Sequence, residues 1–123
     1  MAQPQPSNDP QLLALKLPPH SIEAEQSVLG GLLLDNTAFE RVGDVLAERD
    51  FYRDDHRRIW LHIARLIEKG RPADVVTVDE SIKSSEDRDR TGGLSYLGAL
   101  AQNTPSAQNI RRYAEIVRDR AIM

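Results

Sequence analysis

The stretch Asp54-Asp55-His56-Arg57-Arg58-Ile59-Trp60-Leu61-His62-Ile63-Ala64-Arg65-Leu66-Ile67-Glu68-Lys69-Gly70 decides the fold class. Ile59, Trp60, Ile63, Leu66 and Ile67 recur at steps of three and four, the period of one face of a helix. Asp54 or Asp55 opens the segment, where a carboxylate complements the unpaired backbone N–H groups of a first turn. Gly70 stands where a left-handed C-terminal residue is wanted, with Pro72 just beyond. Trp60, beside Ile59 and Ile63, is expected as a core anchor.

The same period extends outward in both directions. Toward the N-terminus, Phe39, Val42, Val45 and Leu46 predict a second helix. Before it, Ser21 is a good N-cap, followed by Glu23 and Glu25 and the apolar face Ile22, Val28, Leu29, Leu32 and Leu33, ending at Asp35-Asn36. Toward the C-terminus, Val75-Val76-Thr77-Val78 looks β-like, but the run is short and has no partner. The spacing Thr77-x-x-Glu80 is that of a capping box, so the run is expected as an extended approach to a short helix over Val78–Ser84. Residues 84–90 read as a solvated polar loop. A fifth helix follows Gly92-Gly93 with Leu94, Leu97 and Leu100 in line. Thr104 with Pro105 at the first position predicts a sixth, striped by Ile110, Tyr113, Ala114, Val117 and Ala121. Between Arg118 and Met123 there is no Gly, Asn or Pro to stop it, as expected of a chain cut from a longer protein. The fold expected is all-α, a compact bundle of about six helices without internal repeats.

Composition bounds the function. In 123 residues, 16 Lys plus Arg face 19 Asp plus Glu, a net charge of −3. That length suits one domain burying roughly two-thirds of its accessible surface. The absence of cysteine excludes a disulfide scaffold, a thiolate metal site and a cysteine nucleophile. No apolar run approaches the ~20 residues of a membrane span, and Leu12–Leu17, interrupted by Lys16, is no signal peptide. A soluble intracellular domain is expected. The acidic balance disfavours a stand-alone duplex-DNA binder. Five of the seven prolines fall in the first nineteen residues, so residues 1–20 are expected as a flexible tail and 21–123 as the folded domain.

Known chemical motifs are missing. The sequence contains neither G-x-x-x-x-G-K-[ST] nor G-x-G-x-x-G. Gly30-Gly31 lies inside an apolar helix, where close approach by a neighbouring helix is the expected reason for it. The cluster Arg53-Asp54-Asp55-His56-Arg57-Arg58, with His62, fits no metal-ligand spacing and reads as an Asp cap with solvated or packing side chains. Ser21 with Glu23 is likewise a cap rather than a nucleophile and base. Arginine outnumbers lysine thirteen to three, as at protein interfaces or under a genomic bias. Arg111, Arg112, Arg118 and Arg120 outweigh Glu115 and Asp119 by too little to imply nucleic-acid binding. Composition and spacing reach a helical interaction domain without catalytic, cofactor-binding or metal residues, and leave an autonomous DNA-binding domain or a small helical enzyme as rivals.

Leu17-Pro18-Pro19-His20-Ser21-Ile22-Glu23-Ala24-Glu25-Gln26-Ser27-Val28-Leu29-Gly30-Gly31-Leu32 closely resembles the opening of the bacterial replicative DNA helicases, the DnaB family. Matches follow in the family's order: Asp50-Phe51-Tyr52 with His56 and Ile59, then Gly70-Arg71-Pro72-Ala73-Asp74 through Val76-Thr77-Val78. Gly92-Gly93-Leu94-Ser95-Tyr96-Leu97 and Thr104-Pro105-Ser106-Ala107 with Asn109, Tyr113-Ala114 and Ile116-Val117 complete the series, which covers roughly residues 17–123. Residues 84–90 are more polar than the family pattern, and Gln108 stands where alanine is common.

The resemblance implies an N-terminal collar domain of a hexameric ring that unwinds DNA 5′ to 3′. ATP and Mg belong to a C-terminal motor that this chain lacks, and single-stranded DNA passes through the full-length ring. The implied partners are primase, a helicase loader and further copies of the chain, in the bacterial cytoplasm and without a membrane. The sixth helix would be the first arm of a helical hairpin, its second arm lying after Met123. Ile110, Tyr113, Val117 and Ala121 are then self-association candidates. Tyr96 matches the tyrosine of the family's GG-x-x-YL segment, on the side implied in primase docking. One position off the Leu94, Leu97, Leu100 stripe, its ring is expected at the core edge with the hydroxyl in water.

Overall fold

A computed structural model describes residues 21–121; the expected tail and the last two residues lie outside them. Six α-helices and no strand are found among the described residues: α1 (Ile22–Leu34), α2 (Phe39–Val42), α3 (Asp54–Glu68), α4 (Val75–Lys83), α5 (Gly93–Asn103) and α6 (Ile110–Ala121). The all-α expectation holds. Helix α1 is the central element, packed against α3, α5 and α6, while α4 bridges α3 and α5.

Helix α1 occupies the centre because it can be approached closely. Val28, Leu29 and Leu32 are fully buried. A Cβ at Gly30 would collide with the Thr104 hydroxyl and the Leu100 carbonyl, and one at Gly31 would press on Ile110 at 3.2 Å. The glycine pair therefore lets the end of α5 and the start of α6 sit on the α1 backbone, as its place in an apolar helix predicts. The Thr104 hydroxyl at that seam donates to the Leu100 carbonyl at 2.9 Å.

Helix α3 matches its sequence reading closely. Trp60 is buried between Phe39 and Phe51, with ring centroids 5.5 and 5.4 Å away. Gly70 has φ +71°, and the bonds Gly70 N–H to Ile67 carbonyl and Arg71 N–H to Leu66 carbonyl, both 2.9 Å, form a Schellman terminus. The helix starts at Asp54, as expected, but not with an Asp cap. Arg53 occupies the N-cap position without a side-chain cap bond, and Asp54 and Asp55 lie inside the first turn.

Four other expectations are corrected. Val75-Val76-Thr77 is helical rather than extended, because Asp74, not Thr77, caps α4 by accepting the Thr77 N–H at 2.8 Å. With no neighbouring strand to pair with, valine's β preference yields to helical burial of Val78 and Ile82. The second helix stops at Val42, and a turn over residues 43–45 carries the chain on to Leu46. Thr104 ends α5 instead of starting the next helix, and Pro105 follows a helix end rather than opening one, so α6 begins only at Ile110. At 12 residues α6 is roughly 18 Å long. Leu94 is 47% exposed, and only Leu97 and Leu100 of its stripe are buried.

The stripe on α6 finds its partner inside the chain. Ile110, Ala114 and Val117 are buried where α6 packs on α1 and α2. Ile110 and Val117 are therefore core residues here, and only Tyr113 and Ala121 of the self-association candidates are half-buried.

Candidate functional site

Tyr96 is a half-buried residue of α5 facing a polar groove of about 230 Å³ between α1 and α5. Glu23, Gln26, Ser27, Asn103 and Thr104 share its lining. The hydroxyl is not simply in water, as the sequence reading expects. It lies 2.6 Å from Nε2 of His56 and accepts the Gln26 side-chain amide at 3.3 Å.

Behind Tyr96 runs a buried chain of polar groups. His56 on α3 is 0% exposed, and its Nδ1 lies 2.7 Å from the Glu25 carboxylate on α1. Glu25 is 1% exposed and also accepts the Tyr52 N–H at 2.7 Å. Three helices are tied together by the sequence Glu25–His56–Tyr96. The imidazole and phenol rings lie nearly parallel, 7° apart with centroids separated by 5.9 Å, and are joined through the hydroxyl. On the surface side the Arg53 guanidinium sits 5.4 Å from the Tyr96 ring centroid and forks onto Asp55. Burial, the largest influence, pushes the Tyr96 phenol above its ordinary range, so it keeps its proton at neutral pH.

A second polar cluster occupies the opposite face of α3. His62 is buried, with Nε2 2.9 Å from Asp87 and Nδ1 2.8 Å from the Ser81 hydroxyl. Arg58 also binds Asp87. Burial acts to raise the Asp87 carboxyl, but the hydrogen bonds from His62 and Arg58 outweigh it and hold the group below its ordinary value. Thus the segment 84–90, read as a solvated loop, is pinned at Asp87. Beside it a cleft of about 420 Å³ between α3 and α4 carries Arg65, Lys69 and Arg71 on its rim.

Among the described residues no three or more His, Asp or Glu side chains converge as metal ligands would. No described helix is long and apolar enough to cross a membrane. Ser81, His62 and Asp87 are connected as hydroxyl, imidazole and carboxylate, and Tyr96, His56 and Glu25 likewise, so each cluster holds its side chains in a fixed orientation.

Residues 17–119 match the DnaB-like helicase N terminal domain. The chain belongs to that family. It is 41% identical to the replicative DNA helicase DnaB of Haemophilus influenzae over 99% of its own length and 26% of that protein's. The corresponding helicase of Geobacillus stearothermophilus is 40% identical over 92% of this chain and 25% of the relative. The chain therefore spans about a quarter of the length of these relatives. The crystal structure of the N-terminal domain of DnaB helicase from Mycobacterium tuberculosis superposes with a TM-score of 0.82 at 40% identity, covering 86% of this chain and 74% of that one. The resemblance carried by the sequence motifs is thereby borne out.

Sequence reasoning singled out Tyr96 but missed Glu25 and His56 as its supports. A signal was present. His56 precedes Ile59 and Trp60 by three and four positions, and Glu25 precedes Val28 and Leu29 likewise, so both continue apolar faces into the core.

Proposed function

We propose that this chain is the N-terminal collar of a replicative DNA helicase and that its own task is scaffolding: pairing subunits and docking primase. Residues 21–123 form the collar, and residues 1–20 a tail. The whole protein is a cytoplasmic hexamer that uses ATP and Mg to unwind DNA 5′ to 3′ through a C-terminal motor, with a loader placing it on single-stranded DNA. The observation that carries the docking reading is Tyr96, held at the edge of a polar groove by His56 and Gln26. A rigid aromatic with one face on the fold and one edge free is the kind of side chain that anchors interfaces.

The deciding experiment is calorimetric titration of the primase C-terminal domain against wild type and Tyr96→Ala, with thermal melts alongside. Binding weaker by roughly 1–2 kcal/mol or more in a folded variant supports the reading; unchanged affinity removes Tyr96 from the site. The isolated chain should show no ATP turnover, since it has no phosphate loop. Turnover in a preparation free of contaminating ATPase contradicts the division of labour. Because Ile110 and Val117 are core residues, pairing through α6 falls to Tyr113 and Ala121. Sedimentation should show a monomer or weak dimer, at roughly −8 kcal/mol or weaker; a tight hexamer contradicts this.

A further inference from the structure

The proton positions in the buried chain set the chemistry that Tyr96 can offer. Glu25 accepts both the Tyr52 N–H and the contact from His56 Nδ1, an arrangement that suits a carboxylate with no proton of its own. Nδ1 of His56 therefore carries hydrogen and donates. The Tyr96 hydroxyl proton needs an acceptor, and Nε2 at 2.6 Å is the one the fold supplies. Gln26 already donates to the same oxygen. With its proton directed inward, the hydroxyl oxygen has one remaining lone pair, and it is an acceptor.

The groove repeats this polarity. Glu23 is the charged residue lining it, and it is exposed. Arg53, the cation nearest the Tyr96 ring, is engaged by Asp55. We propose that His56 is a positioning residue that fixes Tyr96 as a hydrogen-bond acceptor, and that the groove between α1 and α5 takes a lysine or arginine side chain of the partner protein. This inference rests on the docking reading above and adds the chemistry of the docked group. An ammonium or guanidinium donates to the Tyr96 oxygen while its charge lies beside Glu23. A carboxylate or phosphate would meet an acceptor and a negative charge instead.

The test uses the full 123-residue chain and the primase C-terminal domain as probe. Nitrogen-15 NMR of the labelled histidines should find His56 with Nδ1 protonated and Nε2 bare; a protonated Nε2 overturns the assignment. Glu23→Gln and Tyr96→Phe, each folded by thermal melt, should weaken binding roughly three- to tenfold, the effect of one hydrogen bond or surface charge contact. Wild-type affinity should also fall with added salt. Undiminished binding by either variant, or salt-independent binding, overturns the basic occupant. A folded Tyr96→Ala that binds as wild type defeats the docking reading itself. Lost binding in Tyr96→Ala with a silent Glu23→Gln keeps docking and defeats only this inference. Should Tyr96→Ala not fold, Tyr96→Leu, which also removes the ring and hydroxyl but keeps apolar bulk at the core edge, decides the docking reading in its place.

Discussion

His56 and His62 stand on the same helix, and each is held between a carboxylate at one ring nitrogen and a hydroxyl at the other, His62 with the Ser85 hydroxyl also 3.5 Å from Nε2. Their arrangement is reversed. His56 meets its carboxylate, Glu25, at Nδ1 and its hydroxyl, Tyr96, at Nε2. His62 meets Asp87 at Nε2 and the Ser81 hydroxyl at Nδ1. The depth of the carboxylate also differs: Glu25 comes from a central helix, whereas Asp87 comes from a surface segment and its side chain is 13% exposed. A buried carboxylate cannot fall back on water, so the first cluster fixes how three helices meet. The second ties a surface segment to a helix and retains access to solvent. Similar groups thus serve as a core brace in one place and a surface clasp in the other.

The largest expected effect separates the two histidines directly. His56→Ala leaves the Glu25 carboxylate buried without its main partner and should cost about 3–5 kcal/mol in urea unfolding. His62→Ala should cost clearly less, because Asp87 keeps Arg58 and water. Equal losses would abolish the distinction between brace and clasp.

Gly30→Ala attacks the brace indirectly, by forcing α1 away from Thr104 and the Leu100 carbonyl. A loss of roughly 1–3 kcal/mol in denaturant unfolding is expected from overpacking. Asp87→Asn attacks the clasp and should cost about 1–2 kcal/mol at neutral pH. Its pH dependence has a definite sign. The carboxyl titrates lower in the folded chain than in the unfolded one, so its contribution is present above the ordinary carboxylate value of about 3.9 and fades as pH falls through the folded value. The difference between wild type and Asp87→Asn should shrink toward pH 2; a constant difference would show that the ionised form is not what matters.

The smallest effects concern the elements that carry each cluster. Asp74→Ala removes the α4 cap and should cost ~1 kcal/mol, loosening the helix that presents Ser81. Gly98→Ala, on α5 with nothing near its would-be Cβ, should stabilise by about 0.5–1 kcal/mol and leave Tyr96 docking unchanged. Denaturant midpoints check both, and destabilisation by Gly98→Ala would mean that the outer face of α5 is covered.

Much of this was legible in the amino-acid order because it depends on local periodicity. The face of α3, its Schellman glycine, the caps at Ser21 and the packing role of Gly30-Gly31 all follow from residues within a few positions of one another. The family, too, is written in ordered short motifs. The misplaced boundaries share a cause: Thr77 and Asp74 both offer cap chemistry, and Thr104-Pro105 reads equally as a helix end or a helix start. Three-dimensional packing chose between these pairs.

The sequence by itself therefore determined the helical class, the central apolar faces, the family and the candidacy of Tyr96. Only the tertiary structure decided that Glu25, His56 and Tyr96, separated by 31 and 40 positions, form one polar chain, and that Ile110, Ala114 and Val117 of the α6 stripe are spent inside the domain. Helix periodicity states which face of a segment is apolar, but not which other segment will cover it. That choice depends on the relative placement of whole helices, and so does the meeting of polar groups carried on them.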